Sequence, residues 1–88
     1  SMTDFQERLE KQVDGLRRVR DEIEVQLHLA GREASDLWGR LEKDWQSLEG
    51  RVKVVVDESE GVAEDVGNTL TQAADQLREG YQRIKKLL

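Results

Sequence analysis

The amino-acid sequence predicts an all-α protein, built as a long antiparallel helical hairpin of the coiled-coil type. Two observations predict it: apolar residues recur every three or four positions, and 38% of the residues are charged. Apolar residues at this spacing, with charges between them, are typical of amphipathic helices that bury one face. We expect residues 1–88 to form a single helical domain.

The first predicted helix runs from about residue 4 to residue 56. Thr3 with Gln6, or Asp4 with Glu7, can form a capping box at its start. The apolar phase continues through Gly31 without a slip, which favours one uninterrupted helix. Its apolar positions are Phe5, Leu9, Val13, Leu16, Val19, Ile23, Leu27, Ala30, Ala34, Leu37, Leu41, Trp45, Leu48, Val52 and Val55.

A turn is predicted at residues 57–61, because this segment is polar and ends on a glycine. A second helix is predicted over about 62–87. Its apolar residues repeat every eleven positions, so that Val62, Ala73 and Ile84 are equivalent. Such a repeat corresponds to about 3.67 residues per turn and predicts straight or weakly right-handed packing.

The second helix is expected to cover the distal half of the first. The motif Trp-x-x-Leu-Glu occurs there twice, beginning at Trp38 and at Trp45. Tryptophans at helical spacing on an apolar stripe are expected to fill the contact between helices. The predicted helix-packing seam consists of Leu37, Trp38, Leu41, Trp45, Leu48, Val52, Val55, Val66, Leu70, Leu77, Tyr81 and Ile84.

The N-terminal half of the first helix has no partner in such a hairpin. We therefore expect a homodimer, in which these halves complete a four-helix arrangement. The alternative is a monomeric three-helix bundle with a second turn near residues 28–35. The proposed dimer surface, here called the N-terminal stripe, consists of Phe5, Leu9, Val13, Leu16, Val19, Ile23 and Leu27.

No residues have the spacing of a catalytic, cofactor or metal site, so we predict no enzyme, no cofactor and no small-molecule substrate. His28 lacks a carboxylate three residues before it and is expected to pair with Glu24 on the helix surface. The acidic residues between 57 and 65 lack the spacing of a calcium loop and suit a helix N-terminus. Cysteine is absent, which excludes disulfides and thiolate chemistry.

The predicted function is a structural or protein–protein interaction module that acts through coiled-coil surfaces and binds itself or another helical protein. A net charge of −5 argues against nucleic acid as the main partner. The longest apolar run, 54–56, is too short to span a membrane, so a cytoplasmic location is expected. The alternative is a peripheral or stress-associated amphipathic protein on a lipid surface, which the acidic polar face disfavours for anionic lipid.

Three stretches of the chain resemble small proteobacterial coiled-coil proteins that form helical hairpins. They are Gln26-Leu27-His28-Leu29-Ala30, the segment from Glu33 to Glu49 that contains both Trp-x-x-Leu-Glu motifs, and Gly80-Tyr81-x-Arg83-Ile84. The resemblance touches most of the chain and implies a helical, cytoplasmic protein. It implies no catalytic residues, because that family has no assigned activity.

Overall fold

A computed structural model describes residues 4–57 and 64–88 of the protein. Over these residues the structure is helical and contains no strand, which confirms the all-α prediction. The elements are α1 (Asp4–Gln26), a 3₁₀ helix (Leu27–Leu29), α2 (Arg32–Asp57) and α3 (Glu64–Lys85).

The three α-helices pack against one another as an up–down–up bundle that measures 45 × 20 × 16 Å. Gln6, at the start of α1, donates from Nε2 to the carbonyl oxygen of Val55 at the end of α2, at 2.7 Å. Gln12 donates from Nε2 to Asp75 Oδ1 of α3, at 3.1 Å. α1 is therefore antiparallel to α2 and parallel to α3.

The single helix predicted over residues 4–56 is wrong, because the chain turns between α1 and α2. Ala30 is extended, with φ −81° and ψ 152°, and its N–H donates to the Leu27 carbonyl at 2.9 Å. The Ser35 N–H then donates to the Gly31 carbonyl at 3.1 Å and begins the hydrogen bonds of α2. The apolar phase continues because Leu27 and Ala30, which both lie within the break, pack against the core.

The N-terminal stripe is covered within one chain, so the expectation that it lacks an intramolecular partner is wrong. Leu9, Val13, Leu16 and Ile23 are buried. Phe5, Val19 and Leu27 are partly buried against the same core. The fold matches the three-helix alternative, and the packing argument that predicted a four-helix dimer no longer holds.

The second predicted turn lies mostly outside the described residues, which end at Asp57 and resume at Glu64. Asp57 itself is the last residue of α2 rather than part of a turn. α3 ends at Lys85, two residues before the predicted end. The last three residues close turns, since the N–H of Leu87 donates to the Ile84 carbonyl at 2.9 Å.

The eleven-residue repeat predicted for the second helix is also wrong over the described part of α3. Its buried side chains are Leu70, Ala74, Leu77, Tyr81 and Ile84, in alternating steps of four and three residues. Ala73 is only partly buried. This spacing keeps one narrow face toward the core and is typical of left-handed packing.

Candidate interaction surfaces

The predicted helix-packing seam is largely part of one core cluster that it shares with the N-terminal stripe. Leu37 and Trp38 are partly buried in it, while Val66 is exposed and does not belong to the core. The packed face of α3 includes the next residue, Gly67, which Phe5 approaches closely and which has no apolar side chain for a sequence pattern to detect. The buried seam residues are Leu41, Trp45, Leu48, Val52, Val55, Leu70, Leu77, Tyr81 and Ile84.

The outer face between α1 and α2 is joined by an arginine of α1. The Arg20 guanidinium donates to both carboxylate oxygens of Glu42, from Nε at 2.6 Å and from Nη2 at 2.7 Å. The same guanidinium lies over the Trp38 ring, 5.6 Å from its centroid. It also pairs with Asp21 and Glu24. Arg20 thus links α1 to α2 by a bidentate, charge-assisted hydrogen bond and covers the Trp38 ring.

A second arginine repeats this arrangement on the next part of the face. Arg17 donates from Nη2 to Glu49 Oε2 at 3.1 Å and lies 5.5 Å from the centroid of Trp45. Its Nη1 donates to Asp14 Oδ1 at 2.6 Å. Each Trp-x-x-Leu-Glu motif therefore presents a tryptophan and a glutamate to one arginine of α1.

These two ion pairs differ in their exposure to water. The Arg20 side chain is 19% exposed and that of Arg17 is 43% exposed. Hydrogen bonding to Glu42 raises the pKa of Arg20, and hydrogen bonding to Glu49 raises the pKa of Arg17. Both guanidinium groups therefore remain charged, and screening by water leaves the Arg17 pair the weaker of the two.

Tyr81 lies beneath this face, fully buried in the core. Its hydroxyl has no hydrogen-bond partner among the described residues. Burial raises the pKa of the phenol, and the negative charge of Glu42 raises that pKa further. A phenol held neutral in this way is a weaker acid than free tyrosine and is suited to packing rather than to proton transfer.

A groove of about 580 Å³ lies between α1 and α2 below the Arg17 pair. Val13 and Val52 form part of its walls, and charged side chains such as Asp14 and Lys53 surround it. One carboxylate oxygen of Glu10 is buried there without a hydrogen-bond partner among the described residues. No group of three histidine, aspartate or glutamate side chains in the described parts of the chain comes together as metal ligands would.

His28 does not form the predicted pair with Glu24. It lies in the 3₁₀ helix, where it is exposed, because the turn takes it off the face of α1. Glu24 instead accepts a hydrogen bond from Arg20 Nη2 at 3.3 Å. The turn between α1 and α2 thus removes the spacing on which that prediction depended.

The end of the bundle that holds this turn exposes large apolar side chains. Leu29 is 84% exposed and Val25 is 72% exposed, and the C-terminal Leu87 and Leu88 are exposed beside them. Together with His28 they line a shallow recess of about 600 Å³. We call Val25, Leu29, Leu87 and Leu88 the apical patch. The sequence reasoning missed it, although Val25 and Leu29 are one helical turn apart and off the apolar stripe.

Within the described residues, no helix is both long enough and apolar enough to cross a bilayer. No protein-family model, no curated protein and no solved structure matches the chain. The resemblance to small proteobacterial helical proteins therefore stays a prediction.

Proposed function

We propose that the protein is a non-catalytic, cytoplasmic module of the coiled-coil type that acts through contacts of its surface with other protein chains, including copies of itself. The apical patch is the observation that carries this proposal. Four neighbouring aliphatic residues at one end of a small bundle remain in contact with water. Single exposed apolar side chains are common on protein surfaces, whereas contiguous groups of them are typical of binding sites.

The rest of the described surface supports a binding role rather than chemistry. Arg20 and Glu42 are bound to each other, and the Arg20 guanidinium lies over the Trp38 ring. Tyr81, the one tyrosine, is held neutral in the core. The alternating three- and four-residue spacing of buried positions supports packing of the coiled-coil type.

A photo-crosslinking experiment tests this function in cells that express the protein. A photoreactive phenylalanine analogue replaces Leu29 in one variant and Ser47, exposed on the side of α2, in a matched control. The proposal predicts adducts with protein from position 29 and not from position 47. Absence of protein adducts at position 29, or equal adducts at both positions, contradicts it.

A lipid surface is the second candidate, since the apical patch could also insert into a bilayer. In this reading the tip enters lipid while the bundle stays folded, because Trp45 is already buried in the core. Phosphatidylcholine vesicles with and without phosphatidylglycerol test it. Binding that is lost in Leu29→Glu, with unchanged tryptophan emission, supports lipid insertion by the tip.

A further inference from the structure

We infer that the apical patch is a self-association surface, through which two copies of the chain meet end to end about a two-fold axis. This inference rests on the proposed function and names its partner, a second copy. In a two-fold contact the same surface is used by both subunits, so it must be complementary to itself. The apolar side chains of the apical patch meet this requirement, and so do the charged residues around it.

The position of exposed apolar groups points to an end-to-end contact. Among the described residues, the large hydrophobic side chains that are exposed lie at the two ends of the bundle. Four of them form the apical patch, and Val54 and Val66 lie at the opposite end. The sides of the bundle carry charged residues such as Arg17 and Glu49 instead. The described sides of the bundle therefore offer side-by-side association no large exposed apolar side chain to bury.

The charges around the apical patch are segregated by helix. Arg83 and Lys85, in the last turn of α3, and Lys86, the residue after it, are exposed and form no ion pair with any described residue. The adjoining ends of α1 and α2 carry exposed acids that are likewise without an ion pair there, against one base, Arg32. These acids are Glu22, Glu33 and Asp36.

A second copy is the partner that matches this distribution. A two-fold axis in the plane of the tip can place the basic end of α3 from each copy over the acidic ends of α1 and α2 from the other. The apolar side chains of both patches then meet in the centre, surrounded by opposite charges. An anionic membrane would match only the basic side and would be repelled by Glu33 and Asp36.

The size of this end limits the strength of the contact. The bundle is 20 × 16 Å across its short axes, whereas each partner of a standard interface contributes ~800 Å². A smaller interface is typical of transient complexes. We therefore expect a dimer that forms reversibly at high protein concentration, not a permanent one.

Sedimentation velocity over about 10 µM to about 1 mM protein tests the inference. The wild-type chain is expected to shift with concentration from 10.1 kDa toward twice that mass. Leu29→Glu, at a side chain that is 84% exposed, should weaken dimerisation at least about tenfold by burying a charge. Val54→Glu, at a 62% exposed valine of the opposite end, is the matched control and should dimerise like the wild type.

Charge reversal tests the two-fold arrangement. Lys85→Glu with Lys86→Glu should weaken the dimer, and so should Glu33→Lys with Asp36→Lys. A chain that carries all four changes should recover dimerisation, because opposite charges again face each other across the axis. Failure of the combined variant to recover overturns the proposed two-fold geometry.

Circular dichroism verifies that each variant is folded, and Val25→Glu replaces Leu29→Glu if that variant unfolds. A wild-type chain that remains monomeric at the highest concentration overturns the inference, as does a dimer lost in Val54→Glu but kept in Leu29→Glu. If the chain is monomeric and position 29 still crosslinks to other proteins in cells, self-association fails while the proposed function stands. If it is monomeric and binds vesicles through Leu29, the patch is a lipid surface and both proposals fail.

Discussion

Gly80 allows α3 to approach α2 closely, and its replacement by alanine tests how tightly the bundle is packed. A Cβ atom at position 80 would overlap Cδ2 of Leu41, a side chain that is itself buried. Gly39, in α2, is exposed and has open space where its Cβ would lie. The two substitutions are chemically identical, and both lie inside helices. Their effects on stability should have opposite signs.

The magnitudes follow from two opposing contributions. Alanine inside a helix is favoured over glycine by about 1 kcal/mol. Gly39→Ala should therefore raise the free energy of unfolding by up to about 1 kcal/mol. At position 80 the same gain is opposed by overpacking against Leu41, which costs roughly 1–3 kcal/mol. Gly80→Ala should therefore lower the free energy of unfolding by about 0–2 kcal/mol.

Urea or thermal unfolding, followed by circular dichroism, measures both changes. A difference of 1 kcal/mol corresponds to roughly 4–8 °C in Tm for a domain of this size. Leu41→Ala supplies a further control, because it opens space beside position 80. In that background Gly80→Ala should become stabilising. If Gly80→Ala stabilises the otherwise unchanged chain as much as Gly39→Ala does, the close contact with Leu41 is refuted.

Three further predictions concern the aromatic core and the arginines above it. Trp45→Ala should lower the free energy of unfolding by ~3–5 kcal/mol, since the ring is buried. A loss below about 1 kcal/mol in urea unfolding would contradict that burial. Arg20→Lys should lower the free energy of unfolding by about 1–3 kcal/mol, because lysine cannot make the bidentate hydrogen bond to Glu42. Arg17→Lys, at the more exposed pair, should lower it by less than about 1 kcal/mol. Equal losses in the same assay would show that the difference in burial does not matter. Tyr81→Phe should raise the free energy of unfolding at neutral pH by about 1–3 kcal/mol, because it removes a buried hydroxyl that has no hydrogen-bond partner among the described residues. Burial raises the pKa of Tyr81 above the unfolded value of about 10, so the folded chain holds the phenolic proton more tightly than the unfolded chain. This group therefore leaves the free energy of unfolding unchanged with pH below about pH 10 and lowers it as the pH rises further. The wild type should lose stability there relative to Tyr81→Phe, and parallel stability curves up to high pH would contradict this.

The sequence predicted the helical class and most of the core because apolar side chains must repeat with the period of a helix to share one face. The buried residues of α2, from Ala34 to Val55, follow that period. The same signal could not locate the turn at Ala30. Leu27 and Ala30 continue the apolar phase, and a turn that keeps its apolar residues against the core leaves the spacing unchanged.

Small and polar core residues account for the other errors. Gln6 is buried and bound to the Val55 carbonyl, although glutamine carries no apolar signal. Gly67 and Gly80 lie on the packed face of α3, where Phe5 and Leu41 approach them. A pattern based on large apolar residues does not detect either glycine. The apical patch was missed for a related reason, since Val25 and Leu29 stand apart from the periodic stripe and only the folded chain brings them beside Leu87 and Leu88.

The paired arginines of α1 have a consequence for the register of the bundle. The Trp-x-x-Leu-Glu motif repeats after seven residues, so α1 could in principle slide along α2 by two turns and find similar apolar surface. Arg17 and Arg20, however, are three residues apart and bind glutamates that are seven apart. A slide in either direction leaves one arginine opposite Ser35 or Val56 and keeps only one of the two ion pairs. Because Ser35 and Val56 stand where a third glutamate would be needed, the two ion pairs together select one alignment of α1 on α2, where the apolar repeat would accept several.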